Sequence, residues 1–401
     1  MKISYITMQF PVPSETFASN DVKTLKSLGI DIDVYTLKNK DKNYNNLIES
    51  RGLEKIKIIS GDLSKNILGV SFVFKNIFSF FSLFSWLIKN DFNKPKHLIK
   101  MIALMPMSFY IFEKLKKEKP NIVHLFWGHY PSSVGYLVKK NMPDTKLSIF
   151  LGAYDLEYAL GVSKSLSKSA DFIFTHTGAN LEQLKSLGID VSKVTVVHRG
   201  TTVSNFLPLI ENSSKDKNSW IAAGRLIPLK NFETIIEVFS AFNKKCNDSK
   251  LFICGDGILR NKLEESVHSR QLVDNILFKG HVTQKQLLEQ MGNADVMILL
   301  SSTERLPNVV KEAMLAGCIC IVSETLGIDE LIEHGVTGFI VPHKDYSKIP
   351  LMILGLSEQE KQQIRHKARE FIINNFDVEV SMKKYLEVWQ TKGVKYEHLD
   401  I

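Results

Sequence analysis

At 401 residues the chain is too long for one typical hydrophobic core and fits two domains. Its 44% hydrophobic and 23% charged residues exclude a disordered or fibrous polypeptide, and its four cysteines supply no disulfide framework. A net charge of +8 without any recognised nucleic-acid motif points to anionic lipid headgroups or a diphosphate rather than nucleic acid.

The amino-terminal half opens with an apolar strand, Ile3 to Met8, too short for a signal sequence and stopped by Gln9 and Pro11. With the cysteines read as reduced, a cytoplasmic chain is expected. Asp21 to Leu28 reads as a helix ended by Gly29, and Ile32 to Leu37 as the next strand. The loop between, Phe10-Pro11-Val12-Pro13-Ser14-Glu15-Thr16-Phe17, offers Ser14, Glu15 and Thr16 as hydrogen-bonding groups; Ser14 or Ser19 could equally cap the helix. From Ile67 to Ile88 the chain is rich in Phe, Leu, Ile and Val, but its longest uncharged stretch is too short for a membrane span. Two readings stand: a helix packed on the domain core, or an interfacial helix dipping into a bilayer, flanked by Lys89, Lys94, Lys96 and Lys100. Asn121 to Phe126 then reads as a strand leading into Trp127-Gly128-His129, and Thr145 to Leu151 as a strand leading into Gly152-Ala153-Tyr154-Asp155. Strands at Ala170–Thr177 and Val194–Gly200 complete the half. The polar run to Ser219 reads as a linker that needs no structure.

In the second half Trp220 to Gly224 reads as a buried strand ending in glycine. Arg225 to Lys230 follows as a loop, and Asn231 caps a helix whose apolar face is Ile235, Ile236, Val238, Phe239 and Phe242. Arg225 and Lys230 therefore leave the carboxyl edge of a parallel sheet, where α/β folds bind ligands, and two cations there can neutralise a departing diphosphate. Leu251 to Cys254 runs into Gly255-Asp256-Gly257, which is no dinucleotide fingerprint because Arg260 stands where a third glycine is needed. Ile276 to Val282 is a further strand and turn. Asp295 to Leu300 precedes Thr303-Glu304-Arg305-Leu306-Pro307-Asn308, with Pro307 expected in the first turn of a helix. Free N–H groups from Asn308 to Val310 would suit a phosphate, and Glu312 lies one turn deeper on the face of Asn308. One carboxylate before an anion site and one behind it is the layout a nucleotide-sugar needs. Cys318 and Cys320 share one side of an apolar strand, and the last helix runs from Val380 to Trp389.

Glu304 through Glu312, together with Gly224-Arg225-Leu226 and Lys230-Asn231, resembles the signatures of the retaining nucleotide-sugar glycosyltransferases of glycosyltransferase family 4. The resemblance implies an α/β fold of the GT-B kind, two facing Rossmann-like domains with a carboxyl-terminal helix crossing back to the first. Residues 1–207 would bind acceptor, 208–219 would link, 220–375 would bind the nucleotide-sugar, and 376–401 would return. Arg225 and Lys230 would stabilise the departing diphosphate, Glu304 the sugar hydroxyls and Glu312 the ribose. Leu306, Pro307, Asn308 and Val309 would hold sugar and diphosphate, with Gly224, Gly257 and Val282 near the nucleotide. The Ser14-Glu15-Thr16 loop resembles that of members building bacterial exopolysaccharide and capsule. Asp155 matches the family, but Gly152 replaces its usual histidine, whose part His129 or His124 would take. No metal or cofactor is expected beyond the nucleoside diphosphate sugar as co-substrate, with uridine the commonest base. The acceptor would be a glycan or lipid-linked sugar, at the cytoplasmic face of the membrane if the interfacial reading of residues 67–88 holds. A binding scaffold without catalysis, or a nucleotide-sugar epimerase of the same fold, are the competing readings.

Overall fold

The computed structural model describes residues 1–203, 206–207 and 214–391. It has two compact units: Met1–Arg199 together with the chain from Ser381 onward, and Gly200–Val380. The second unit begins well before the expected 220 because its two ends pair with each other. Thr201 bridges Asp377, and the Thr201 N–H donates to the Phe376 carbonyl at 2.7 Å.

The first unit carries a seven-stranded parallel sheet. Its strands are β1 (Lys2–Thr7), β2 (Asp31–Thr36), β3 (Lys57–Ile59), β4 (Ile122–Phe126), β5 (Lys146–Phe150), β6 (Phe172–Thr175) and β7 (Val194–Val196), in the order β3-β2-β1-β4-β5-β6-β7. The second unit carries β8 (Asp216–Ala223), β9 (Lys250–Cys254), β10 (Ile276–Gly280), β11 (Ala294–Leu299), β12 (Ile319–Ser323) and β13 (Phe339–Val341), in the order β10-β9-β8-β11-β12-β13. Both orders reverse between the first strand and the fourth, which makes each unit Rossmann-like and the fold GT-B.

The central strands of the second sheet are apolar on both faces along most of their length, Trp220–Ala223 of β8, Val296–Leu299 of β11 and Ile319–Val322 of β12, because both faces are covered. Trp220 and Ala222 of β8 pack into one core with Val296, Ile298, Ile319 and Ile321. Ile221 and Ala223 pack into another with Met297, Leu299 and Cys320. All four cysteines are free.

Several local expectations need correction. Residues 208–213 of the expected linker lie outside the described residues, and the rest is ordered: Lys215 is half-buried, its ammonium donating to the carbonyls of Met291 and Ala316 at 2.9 Å each, and Asp216 already belongs to β8. The apolar stretch 67–88 is two helices, Leu63–Lys75 and Ile77–Asp91, meeting at 103°. Asn76 makes the break, its amide donating to the Phe72 carbonyl and to Glu113. Among the described residues no single helix is long and apolar enough to cross a membrane. The first helix spans Thr16–Ser27, and neither Ser14 nor Ser19 caps it; the Ser19 hydroxyl instead accepts from Arg51 at 2.9 Å. The last helix, Val378–Thr391, enters the first unit's aromatic core, where the Trp389 indole donates to Ser148 at 3.0 Å.

Candidate functional site

At the strand-order reversal of the second sheet, β8 and β11 stand side by side, and the loops that leave them carry Lys230 and Glu304. The β8 loop lies against the glycines of the loop after β9. A side-chain carbon on Gly255 would lie 1.9 Å from the Gly224 carbonyl oxygen, and one on Gly257 would lie 2.6 Å from the Leu226 oxygen. Backbone therefore rests directly on backbone: Leu226 N–H donates to the Asp256 carbonyl at 2.9 Å, and Gly255 N–H to that of Gly280 at 2.8 Å. The Gly-x-Gly is thus a requirement of loop packing, with Gly255 at φ 142°. The following turn is tied to the β11 loop, because Ser302 N–H donates to the Leu229 carbonyl at 2.9 Å. That tie brings Lys230 and Glu304 into a direct, mostly buried ion pair. Arg225, one residue past Gly224, is exposed and forms no ion pair among the described residues. Asn231 occupies the cap position with φ 53°, but its side chain accepts from the Thr234 hydroxyl at 2.8 Å rather than from backbone.

On the β11 side Leu306 is buried at φ 47°, a conformation unusual outside glycine. The helix runs Asn308–Leu315, so Pro307 is its cap and not part of its first turn. The Val310 N–H is already given to the Pro307 carbonyl at 3.1 Å, and the Asn308 and Val309 amides have no backbone partner among the described residues. Glu312 is buried one turn on and accepts from Gln284 at 2.7 Å. Burial pushes its pKa up, against the Gln284 hydrogen bond and the Lys311 charge. Gln284 had no signal in the sequence beyond its place in the first turn after Thr283. Val282 sits just past β10, partly buried against the core.

The first sheet has its own reversal between β1 and β4, and there lies a cavity of about 350 Å³. Ser14, Glu15 and His129 line it. Thr16 does not; it begins the first helix. Asp155 lies behind the wall, buried, accepting from Gly152 N–H at 3.0 Å, and burial raises its pKa to about 7. The Glu15 carboxylate accepts from the Trp127 indole at 3.1 Å, and burial raises its pKa. His129 is buried with Nδ1 accepting from Tyr130 N–H at 2.7 Å; burial and the Lys100 charge lower its pKa to about 3, so it stands neutral. His124 is a strand residue bonded to Ser148 at 2.9 Å inside the core, away from the cavity. Gly152 has a steric cause: a Cβ there would lie 2.4 Å from the Trp127 ring and 2.8 Å from Phe150. Trp127 fills the space a histidine would use, and it does so at φ 83°.

Residues 206–375 match the family model described as glycosyl transferases group 1. The chain is 22% identical over 413 residues to the amylovoran biosynthesis glycosyltransferase AmsK of Erwinia amylovora, covering 97% of this chain and 99% of that one. It is 26% identical over 317 residues to the UDP-Gal:alpha-D-GlcNAc-diphosphoundecaprenol alpha-1,3-galactosyltransferase of Escherichia coli, covering 73% and 80%. The solved structure of Anabaena Alr3699/HepE in complex with UDP superposes with a TM-score of 0.70 at 15% identity, covering 98% and 100%. The structural match shows the GT-B fold, and residues 206–375 carry the likeness to the glycosyl transferases group 1 model. Within that class the chain resembles the enzymes of bacterial exopolysaccharide and lipopolysaccharide synthesis.

Proposed function

We propose that the chain is a retaining family 4 hexosyltransferase, taking a hexose from a nucleoside diphosphate sugar, UDP-linked, to a sugar hydroxyl on a glycan or lipid-linked acceptor. The ion pair of Lys230 with Glu304, joining two loops at the sheet's reversal, carries this reading. In the complex Lys230 turns to the diphosphate beside Arg225, and the two cations take up the charge that develops as the glycosidic bond breaks. They act where other enzymes use a divalent metal. Glu304, released from the pair, accepts from hydroxyls of the transferred sugar. The Asn308 and Val309 amides meet the diphosphate at the helix start, and buried Glu312 accepts from the ribose. Gly224, Gly257, Val282, Leu306 and Pro307 shape the surface on which the donor lies. With no carboxylate assigned to the opposite face of the sugar, retention proceeds by front-face attack, the leaving phosphate accepting the acceptor's proton. In the first unit Ser14, Glu15 and His129 contact the acceptor; Thr16 and Asp155 support them from the helix start and the cavity wall.

Attachment to the membrane surface is supported by the two angled helices: Leu63, Phe74, Phe78 and Phe81 are each more than half exposed, and Lys75 and Lys89 flank them. Incubation with UDP-hexoses and candidate acceptors, followed by NMR of the product, tests the proposal. An α-configured glycoside from an α-configured donor supports it. A β-glycoside contradicts retention, and free epimerised sugar contradicts transfer.

A further inference from the structure

The buried carboxylate of Glu312 is held from outside its own helix. Glu312 is 8% exposed on the helix Asn308–Leu315, and one of its oxygens accepts from the Gln284 side-chain amide at 2.7 Å. An ionised carboxylate only accepts, so the nitrogen of that amide has to face it. Gln284 opens the helix Gln284–Asn293 without taking part in its cap. Thr283 and Gln286 close the capping box between themselves: the Gln286 N–H donates to the Thr283 hydroxyl at 3.3 Å, and the Thr283 N–H to the Gln286 side chain at 2.9 Å.

Leu288 and Met291 lie on the same helix face as Gln284, one and two turns further on. Both are buried with Val310 and Ala313, so that face is pressed against the helix carrying Glu312. Packing of the two helices thus delivers the amide to the carboxylate. Gln284 itself is exposed and fills no core.

Burial raises the Glu312 pKa, and the Gln284 bond and the Lys311 charge oppose the rise. Among the described residues no charge from another element adds to them. The second oxygen of Glu312 accepts no hydrogen bond among the described residues. One oxygen is therefore committed to Gln284, and the other is left for a ligand's hydroxyl. A site built to bond a hydroxyl rejects the analogue that lacks it, because a buried polar group is then left unpaired.

We propose that Gln284 is a positioning residue for the donor's ribose. Its amide fixes one oxygen of Glu312 so that the other accepts from the ribose hydroxyls, and the pair thereby sets the preference for ribose over deoxyribose. This rests on the reading of Glu312 as the ribose's hydrogen-bond acceptor.

The test is calorimetric titration of UDP, 2′-deoxy-UDP and 3′-deoxy-UDP into wild type, Gln284→Ala and Gln284→Glu. The wild type should bind UDP at least about tenfold more tightly than one or both deoxy forms. Gln284→Ala should lose roughly tenfold for UDP and little for the form that the wild type rejects, so the preference collapses. Gln284→Glu keeps the shape, and a residue that only occupied space would tolerate it at every pH. Here two carboxylates would meet: at pH 5 they share a proton and the new acid donates as the amide did, whereas at pH 8 they repel. UDP affinity of this variant relative to wild type should therefore fall about tenfold from pH 5 to pH 8. The proposal is overturned if folded Gln284→Ala keeps the wild-type preference, or if Gln284→Glu follows the wild type across pH. A wild type that binds UDP and both deoxy forms alike removes the ribose role of Glu312, and this proposal with it. Variants that match a discriminating wild type remove this proposal alone.

Discussion

The two units share one strand order and differ at the same place in it. Where the second sheet reverses, glycine loops lie backbone on backbone and draw Lys230 to Glu304. Where the first reverses, large aromatic rings wall a cavity. The fold thus provides a location twice, and the loops decide what surrounds it: close backbone approach in one and flat aromatic rings in the other, which the proposed function gives to a diphosphate and to the acceptor. This difference can be broken at either end.

Lys230→Ala should have the largest effect, because it removes a charge aimed at the leaving group and strands Glu304. A fall in kcat of about 10²–10³-fold is expected, read by release of nucleoside diphosphate in single-turnover assays. Glu312→Ala should act on the donor instead, raising its KM by about 10–100-fold as a charged hydrogen bond to the ribose is lost. Gly152→Ala moves the comparison to the first unit. Its new methyl meets the Trp127 ring, so overpacking should cost about 1–3 kcal/mol by denaturant titration and shift the tryptophan emission, with donor KM unchanged.

The smallest effect is one of pH. The Asp155 pKa is raised in the folded state to about 7, by burial first. A raised folded pKa means that its contribution to stability is full below the ordinary carboxylate range and is lost as pH rises through about 7. Asn at this position never ionises. The Tm of Asp155→Asn relative to wild type should therefore rise between pH 5 and pH 8, by a few degrees at most; a constant difference would refute the assignment.

The candidate residues legible in the sequence were those whose type and spacing alone suggest a chemistry. Glu304, Glu312, Arg225 and Lys230 stood at fixed spacings after apolar strands, and the continuous apolar runs at Trp220–Ala223 and Val296–Leu300 marked buried strands. What stayed hidden depends on distance across the fold. Nothing in Asp256 or Leu226 tells that their backbones touch, so the sequence showed Gly255 and Gly257 only as an incomplete glycine fingerprint. Gln284 carried no mark, because its bond to Glu312 joins residues from two different helices. Polar composition made Lys215 and Asp216 look like linker, although the lysine's ammonium binds two carbonyls. Gly152 showed as a departure whose cause, the Trp127 ring, lies in the loop after β4.

The central claim is that the second unit's reversal point holds a nucleoside diphosphate sugar through Lys230 and its neighbours. Calorimetric titration of UDP-hexose into wild type and Lys230→Ala tests it most directly. The account predicts binding by the wild type that falls at least tenfold in the variant. Equal affinity in both proteins, with the variant folded, would contradict it.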